Sequence, residues 1–175
     1  MRNIKDDSKQ VIQYYKSAGN KSFDTIKDLM ERWSKVLKTK FISDEDVSIF
    51  KNALKDRNES IWFEIGSRLA QLWDMNEKVA KIFLSTFNGK STQARFNIIA
   101  LGKYLPRSFV KNILEDAIND KSNKIRLKVA DIILTLQDSN LLTILHNRLE
   151  IEENKKVKES IEFTLNNFDK VIKNK

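Results

Sequence analysis

The chain has 175 residues, 41% apolar and 32% charged, with a net charge of +8, which is length enough for one domain with a real core. It has no cysteine, which excludes a disulfide framework and thiolate metal sites, and its one proline and four glycines argue against the frequent turns of an all-β fold. No stretch approaches the ~18 uninterrupted apolar residues of a membrane span, and residues 1–7 lack the apolar centre of a signal peptide, so a cytoplasmic protein is expected.

In chain order the signals are helical. Ser22 precedes an amphipathic run with Phe23, Ile26, Leu29, Met30, Trp33, Val36 and Leu37 at spacings of three and four. Ser43 is followed by Asp44, Glu45 and Asp46, a capping serine with acids opposing the helix dipole, and Val47, Phe50 and Leu54 make one stripe. Asn58 or Ser60 opens the next helix, which runs through Trp73. Further helices are expected over about 76–87, 91–105, 108–119, 123–136, 139–149 and 154–168. Pro106 falls between two of them, where it can end one and open the next. Residues 172–175 are expected to fray.

The segments repeat. Residues 53–74 (ALKDRNESIWFEIGSRLAQLWD) align without a gap on residues 117–138 (AINDKSNKIRLKVADIILTLQD), 64 positions apart. Each reads as an apolar pair, an Asp, a polar turn and a second helix ending in Asp. Copies at 87–105 and 149–168 place the anchors Ile61, Ala94, Ile125 and Val157 at intervals of 33, 31 and 32 residues. One helix pair cannot cover its own apolar faces, so a period near 32 with two helices each predicts a stacked array.

The copies resemble the short HEAT-like repeat. Its hallmarks are an Asp at the turn within the repeat, then a basic residue early in the second helix followed by small and aliphatic residues. Asp120 with Ile125-Arg126-Leu127-Lys128-Val129-Ala130 fits, as does Ala94-Arg95-Phe96-Asn97-Ile98-Ile99-Ala100, and Val157-Lys158 fits more loosely. Ile61-Trp62-Phe63 departs, with Trp62 in the basic position. The resemblance covers residues 43–168. It implies an all-α fold, a short α-solenoid of about four stacked pairs over residues 43–175. Residues 1–42 then form a helical capping pair in the same compact domain.

Arg95, Arg126 and Lys158 recur at one repeat position. They form either a basic track for phosphates or a structural ladder, each cation bonding a turn acid such as Asp56 or Asp120. On the helical wheel Arg126 shares a side with Ala130 and Ile133, which favours the ladder, because a buried charge needs a partner. The outer face of the second helices, with Glu64, Arg68 and Gln71, then Asn97, Ala100 and Tyr104, then Lys128, Asp131 and Thr135, is the candidate partner-binding ribbon. Its plain alternative is a solvated surface. Trp33, Trp62 and Trp73 lie on apolar stripes and read as core.

No catalytic or metal signature is present. His146 is the only histidine, and Asn88-Gly89-Lys90-Ser91 lacks the upstream glycine of a phosphate loop and reads as a turn with a helix cap. No cofactor is expected. The function expected is therefore a non-enzymatic scaffold, an adaptor or inhibitor-type module, that binds another protein or a peptide. The competing reading is nucleic acid. In repeat type and net charge the chain is similar to the bacterial DNA glycosylases for alkylated bases, which hold DNA in a basic groove. Positive charge is spread thinly, however, at 13 Lys+Arg against 10 Asp+Glu in residues 1–60, 8 against 6 in 61–120 and 11 against 8 in 121–175. Acids stand in line with the ribbon's cations, and a mixed polar face suits a protein better. Repeat similarity alone also links the chain to the HEAT-like phycobilin lyases, which would make it an enzyme.

Overall fold

Side-chain turns made by Asn, Asp and one Glu precede several of the helices. A computed structural model describes residues 4–173, and in it the side-chain oxygens of Asn20, Asp56, Asn58, Asn76, Asp120, Asp138 and Glu152 each accept the backbone N–H two residues on. Such short polar side chains offer the chain a local partner just where a helix has unsatisfied donors. Ten α-helices follow among the described residues: α1 (Ser8–Ser17), α2 (Phe23–Thr39), α3 (Asp44–Leu54), α4 (Glu59–Gln71), α5 (Glu77–Phe87), α6 (Thr92–Ala100), α7 (Arg107–Ala117), α8 (Asn123–Leu136), α9 (Leu142–Leu149) and α10 (Lys155–Lys173). No strand occurs among these residues. None of these helices is long and apolar enough to cross a membrane.

The expected segments are present, with local differences. Ser43 caps α3 through a reciprocal box with Asp46. Burial alone would raise the Asp46 carboxyl, but hydrogen bonds from Ser43 and Arg32 outweigh it and hold it low. Ser22 precedes α2 as expected but makes no cap bond; its hydroxyl instead accepts from Asn58 Nδ2 at 2.7 Å. Ser91 Oγ accepts from the Ala94 N–H at 3.2 Å, the cap expected there. The helix expected to run to residue 105 stops at Ala100 and becomes a 3-10 turn at Gly102–Tyr104. That turn lies against α8, and a Cβ on Gly102 would sit 3.2 Å from Ile132 Cγ2, so any larger residue there would have to push the Ile132 side chain back by a few tenths of an ångström. Pro106 directly precedes α7. The stretch expected to fray includes residues 174 and 175, which lie outside the described residues.

The helices gather into two compact units, one ending at Ile98 and the other beginning at Ile99. In the first, α2 packs on α1 and α4, and α3 packs on α4 and α5. Its core holds Ile26, Leu29, Met30, Trp33, Phe50, Leu54, Ile65 and Phe83. Residues before 43 therefore belong to the same unit as the pair that follows them. Asp6 ties the start of α1 to α2 by accepting from Ser8, Ser34 and Lys38. In the second unit α10 packs on α8 and α9, and α7 packs on α8. Val110, Leu114, Ile125, Val129, Ile133, Leu145, Val157, Ile161 and Phe168 fill its core. Trp33 and Trp62 are buried as expected, and Trp73 is half-buried with its ring 5.8 Å from Phe83.

Candidate functional site

The ribbon expected on the second helices is only partly a surface. Arg68 is buried, at 8% exposure, and so corrects the expectation. It pairs with Glu64 and, at 2.9 Å, with Asp7, and its guanidinium lies 5.9 Å from the Trp33 ring centre. Tyr15 donates to Glu64 Oε1 at 2.9 Å and Trp33 Nε1 donates to the Arg68 carbonyl at 3.1 Å. Burial, then the Glu64 carboxylate, push the Tyr15 hydroxyl up to about 12. The reason Arg68 is inside is that α2 covers α4, and residues 65–70 are buried without a break.

Asn97 is the second correction. It is wholly buried, and its Nδ2 donates to the main-chain oxygens of Leu54 and Asp56, each at 2.9 Å. It thereby clamps the end of α3 to α6. Asn97→Ala is expected to cost about 1–3 kcal/mol, since the buried Leu54 carbonyl and the half-buried Asp56 carbonyl would lose their donor. Urea titration checks this; a loss below about 0.5 kcal/mol would remove the clamp from the account.

The other ribbon residues are on the surface. Gln71, Asp131 and Thr135 are exposed, Tyr104 is 38% exposed and Lys128 is half-buried. Lys128 pairs with Asp131 at 2.6 Å, Thr135 Oγ1 bonds back to the Asp131 carbonyl at 2.9 Å, and Lys103 Nζ sits 4.9 Å from the Tyr104 ring centre. In α8, then, the polar groups are engaged with one another.

The basic repeat position gives a clearer result. Arg95 and Arg126 have the same local geometry: Nη1 donates to the carbonyl six residues back, Gly89 or Asp120, and Nη2 to the side-chain oxygen three back, Thr92 or Asn123. Each fastens the first turn of its own helix. Asp56 accepts from the Asn58 N–H, and Arg126 reaches the Asp120 carbonyl rather than its carboxyl. The carboxylate facing Arg126 is Glu152, from the turn before α10. Its oxygens accept from Arg126 Nε at 2.7 Å and Nη2 at 2.8 Å, from Arg148 Nε at 2.8 Å and from the Asn154 N–H at 2.9 Å. The Glu152 side chain has no exposure. The Arg126 guanidinium beside it, with Arg148, holds its carboxyl down at about 2. Lys158 departs from the pattern altogether: it is exposed and has no ion pair among the described residues.

A cleft between α7 and α9 was not foreseen. It holds about 440 Å³ and is lined by Ile118, Ile144 and Ile151, by the amides of Asn119 and Asn147, and by Arg148, with the Lys111–Glu115 pair along one wall. Arg148 and Ile151 also border a second opening of about 540 Å³ beside Asn123 and Glu153. Ile151 is 64% exposed. The signal was in the sequence as a repeated i, i+4, i+7 spacing: Lys111, Glu115, Ile118 on α7 and its loop, and Ile144, Arg148, Ile151 one repeat later. Among the described residues no cluster of His, Asp and Glu is grouped to hold a metal ion.

Compared with protein-family models, curated proteins and solved structures, the chain matches nothing in any of the three.

Proposed function

We propose that this chain is a non-enzymatic scaffold of HEAT-like helix pairs that binds another protein, and that the α7–α9 cleft is its contact surface. The repeat reading draws support from equivalent contacts in each unit. Second helix lies on second helix in α2–α4 and in α8–α10, and first helix on first helix in α3–α5. Positions 64 residues apart share a turn geometry, Asp56 with Asn58 and Asp120 with Ser122.

The observation that carries the binding reading is the cleft itself, where an exposed isoleucine and two buried ones stand among amide side chains. Partner-binding surfaces combine an apolar centre with a polar rim in this way. The nucleic-acid alternative finds less support. Of the expected track, Arg126 is buried against the Glu152 carboxylate and only Lys158 stands exposed, and the ribbon cations Arg68 and Lys128 each face a carboxylate.

The test is a pull-down from the source lysate with and without nuclease, using the wild type and Ile151→Glu. Expected is a stoichiometric protein that survives nuclease and is lost with Ile151→Glu, a change on an exposed side chain that leaves the fold intact. Recovery of nucleic acid alone, in a lane that nuclease empties, would overturn the reading.

A further inference from the structure

We propose that Asn88 is a modification site, at which the chain converts its own asparagine to aspartate and isoaspartate without an enzyme. The reaction needs only water and does not depend on what the protein binds.

Asn88 is followed by Gly89, and no other asparagine in the chain precedes a glycine or a serine. The glycine matters because the attacking atom is the main-chain nitrogen of the next residue, and glycine alone lets that backbone approach uncrowded. The turn between α5 and α6 supplies the rest. Asn88 ends α5 and is exposed. At other turns Asn20, Asn58, Asn76, Asn119, Asn140 and Asn154 each commit the side chain to a hydrogen bond. Among the described residues the Asn88 side chain makes none. The Gly89 N–H donates to the Thr86 carbonyl at 3.3 Å, a longer bond than the 2.9 Å from the Asn88 N–H to the Leu84 carbonyl. A long bond at a helix end is a weak one, so little has to break before the attack.

Water is the one co-reactant. The Gly89 nitrogen gives its proton to solvent base and bonds to Asn88 Cγ. The Cγ–Nδ2 bond breaks, and the amide nitrogen leaves as ammonia, taking a proton from water. A five-membered succinimide remains. Water then adds to one of its two carbonyls. Opening at Cγ leaves aspartate. Opening at the main-chain carbonyl leaves isoaspartate, whose main chain is one carbon longer. The net change is an amide and water to a carboxylate and ammonium.

The extra carbon falls just before a carbonyl that the fold uses. The Gly89 carbonyl accepts from Arg95 Nη1 at 3.1 Å, one of the bonds that fasten the first turn of α6. Aspartate keeps the spacing of that bond and isoaspartate does not. Either product also puts a negative charge at the C-terminal end of α5, where the helix dipole disfavours it.

The test incubates the full chain at mildly alkaline pH, folded and in urea, and maps its peptides by mass spectrometry, with isoaspartate told apart by fragmentation. Expected is conversion at Asn88 ahead of every other asparagine in the folded chain, with isoaspartate the larger product. Gly89→Ala, whose Cβ would meet the Thr86 carbonyl at 3.2 Å, should slow it about tenfold, and Asn88→Gln should abolish it. Amide exchange then separates spacing from charge. The Ala94 and Arg95 N–H groups, which bond Ser91, should exchange faster in the isoaspartate form than in Asn88→Asp, which gains the charge alone.

Conversion confined to the chain in urea, equal conversion at other asparagines, or an unchanged rate in Gly89→Ala overturns the proposal. Equal exchange in the isoaspartate form and in Asn88→Asp overturns the link to Arg95 and leaves the modification standing.

Discussion

Glu152→Gln is expected to lower the stability of the second unit by about 3–5 kcal/mol near neutral pH, the usual consequence of leaving a buried cation without its counter-charge. Arg126 is the cation in question, with 8% side-chain exposure against none for Glu152. The amide would keep one acceptor but turn a donor group toward the guanidinium. Acidity supplies an internal control. The Glu152 carboxyl ordinarily titrates at 4.5 and is held at about 2 in the fold. A lowered folded value means that its contribution is complete above 4.5 and drains away as pH falls through about 2. The gap between wild type and variant in urea should therefore narrow steadily over that window. A gap that is the same at both ends, or below about 1 kcal/mol throughout, would show that the pair is not what secures this turn.

Trp33→Ala is the second large effect, with an expected loss of about 3–5 kcal/mol in the first unit. Trp33 has no exposure and lies on the stripe of α2 with Ile26, Leu29, Met30, Val36 and Leu37. Removing it opens a cavity and also strips Arg68 of both its aromatic platform and the donor to its carbonyl. Trp33→Phe separates the two contributions. It retains most of the packing and should cost only about 1–3 kcal/mol, chiefly the orphaned carbonyl. Equal losses for the two variants by thermal or urea unfolding would mean that the indole N–H, not the ring's volume, is what matters.

Helix starts were legible because they are written locally. Asp56, Asp120 and Ser43 each act within three residues of themselves, so the sequence window contains both partners. The burial of Trp33 was legible for a similar reason, since its stripe has helical spacing. Arg68 was not. Glu64 and Arg68 at i, i+4 look like any surface pair on a wheel, and α4 is buried over six consecutive residues, which erases the one-sided pattern that marks an inner face. Asn97 hides behind the same effect in α6, where its partners at Leu54 and Asp56 lie over forty residues away. Glu152 reads as one more acid at a helix start until Arg126 is brought against it from 26 residues back. The cleft's lining is written in the sequence as one spacing used twice, at Lys111, Glu115, Ile118 and at Ile144, Arg148, Ile151, but the gap between α7 and α9 is set by their packing and is not.

The reach of these contacts has a consequence for how the chain comes apart. Arg126 bonds Glu152 across 26 residues, Arg107 bonds the Leu136 carbonyl across 29, and Thr164 bonds the Ala130 carbonyl across 34. The first and last tie α8 to the turn before α10 and to α10 itself, and the second ties the start of α7 to the end of α8. On the stacked-array reading proposed above, cooperativity is passed from neighbour to neighbour rather than held in a single shared nucleus. The second unit can therefore open from its C-terminal end, α10 and α9 parting first and exchanging their amide protons while α7 and α8 stay closed.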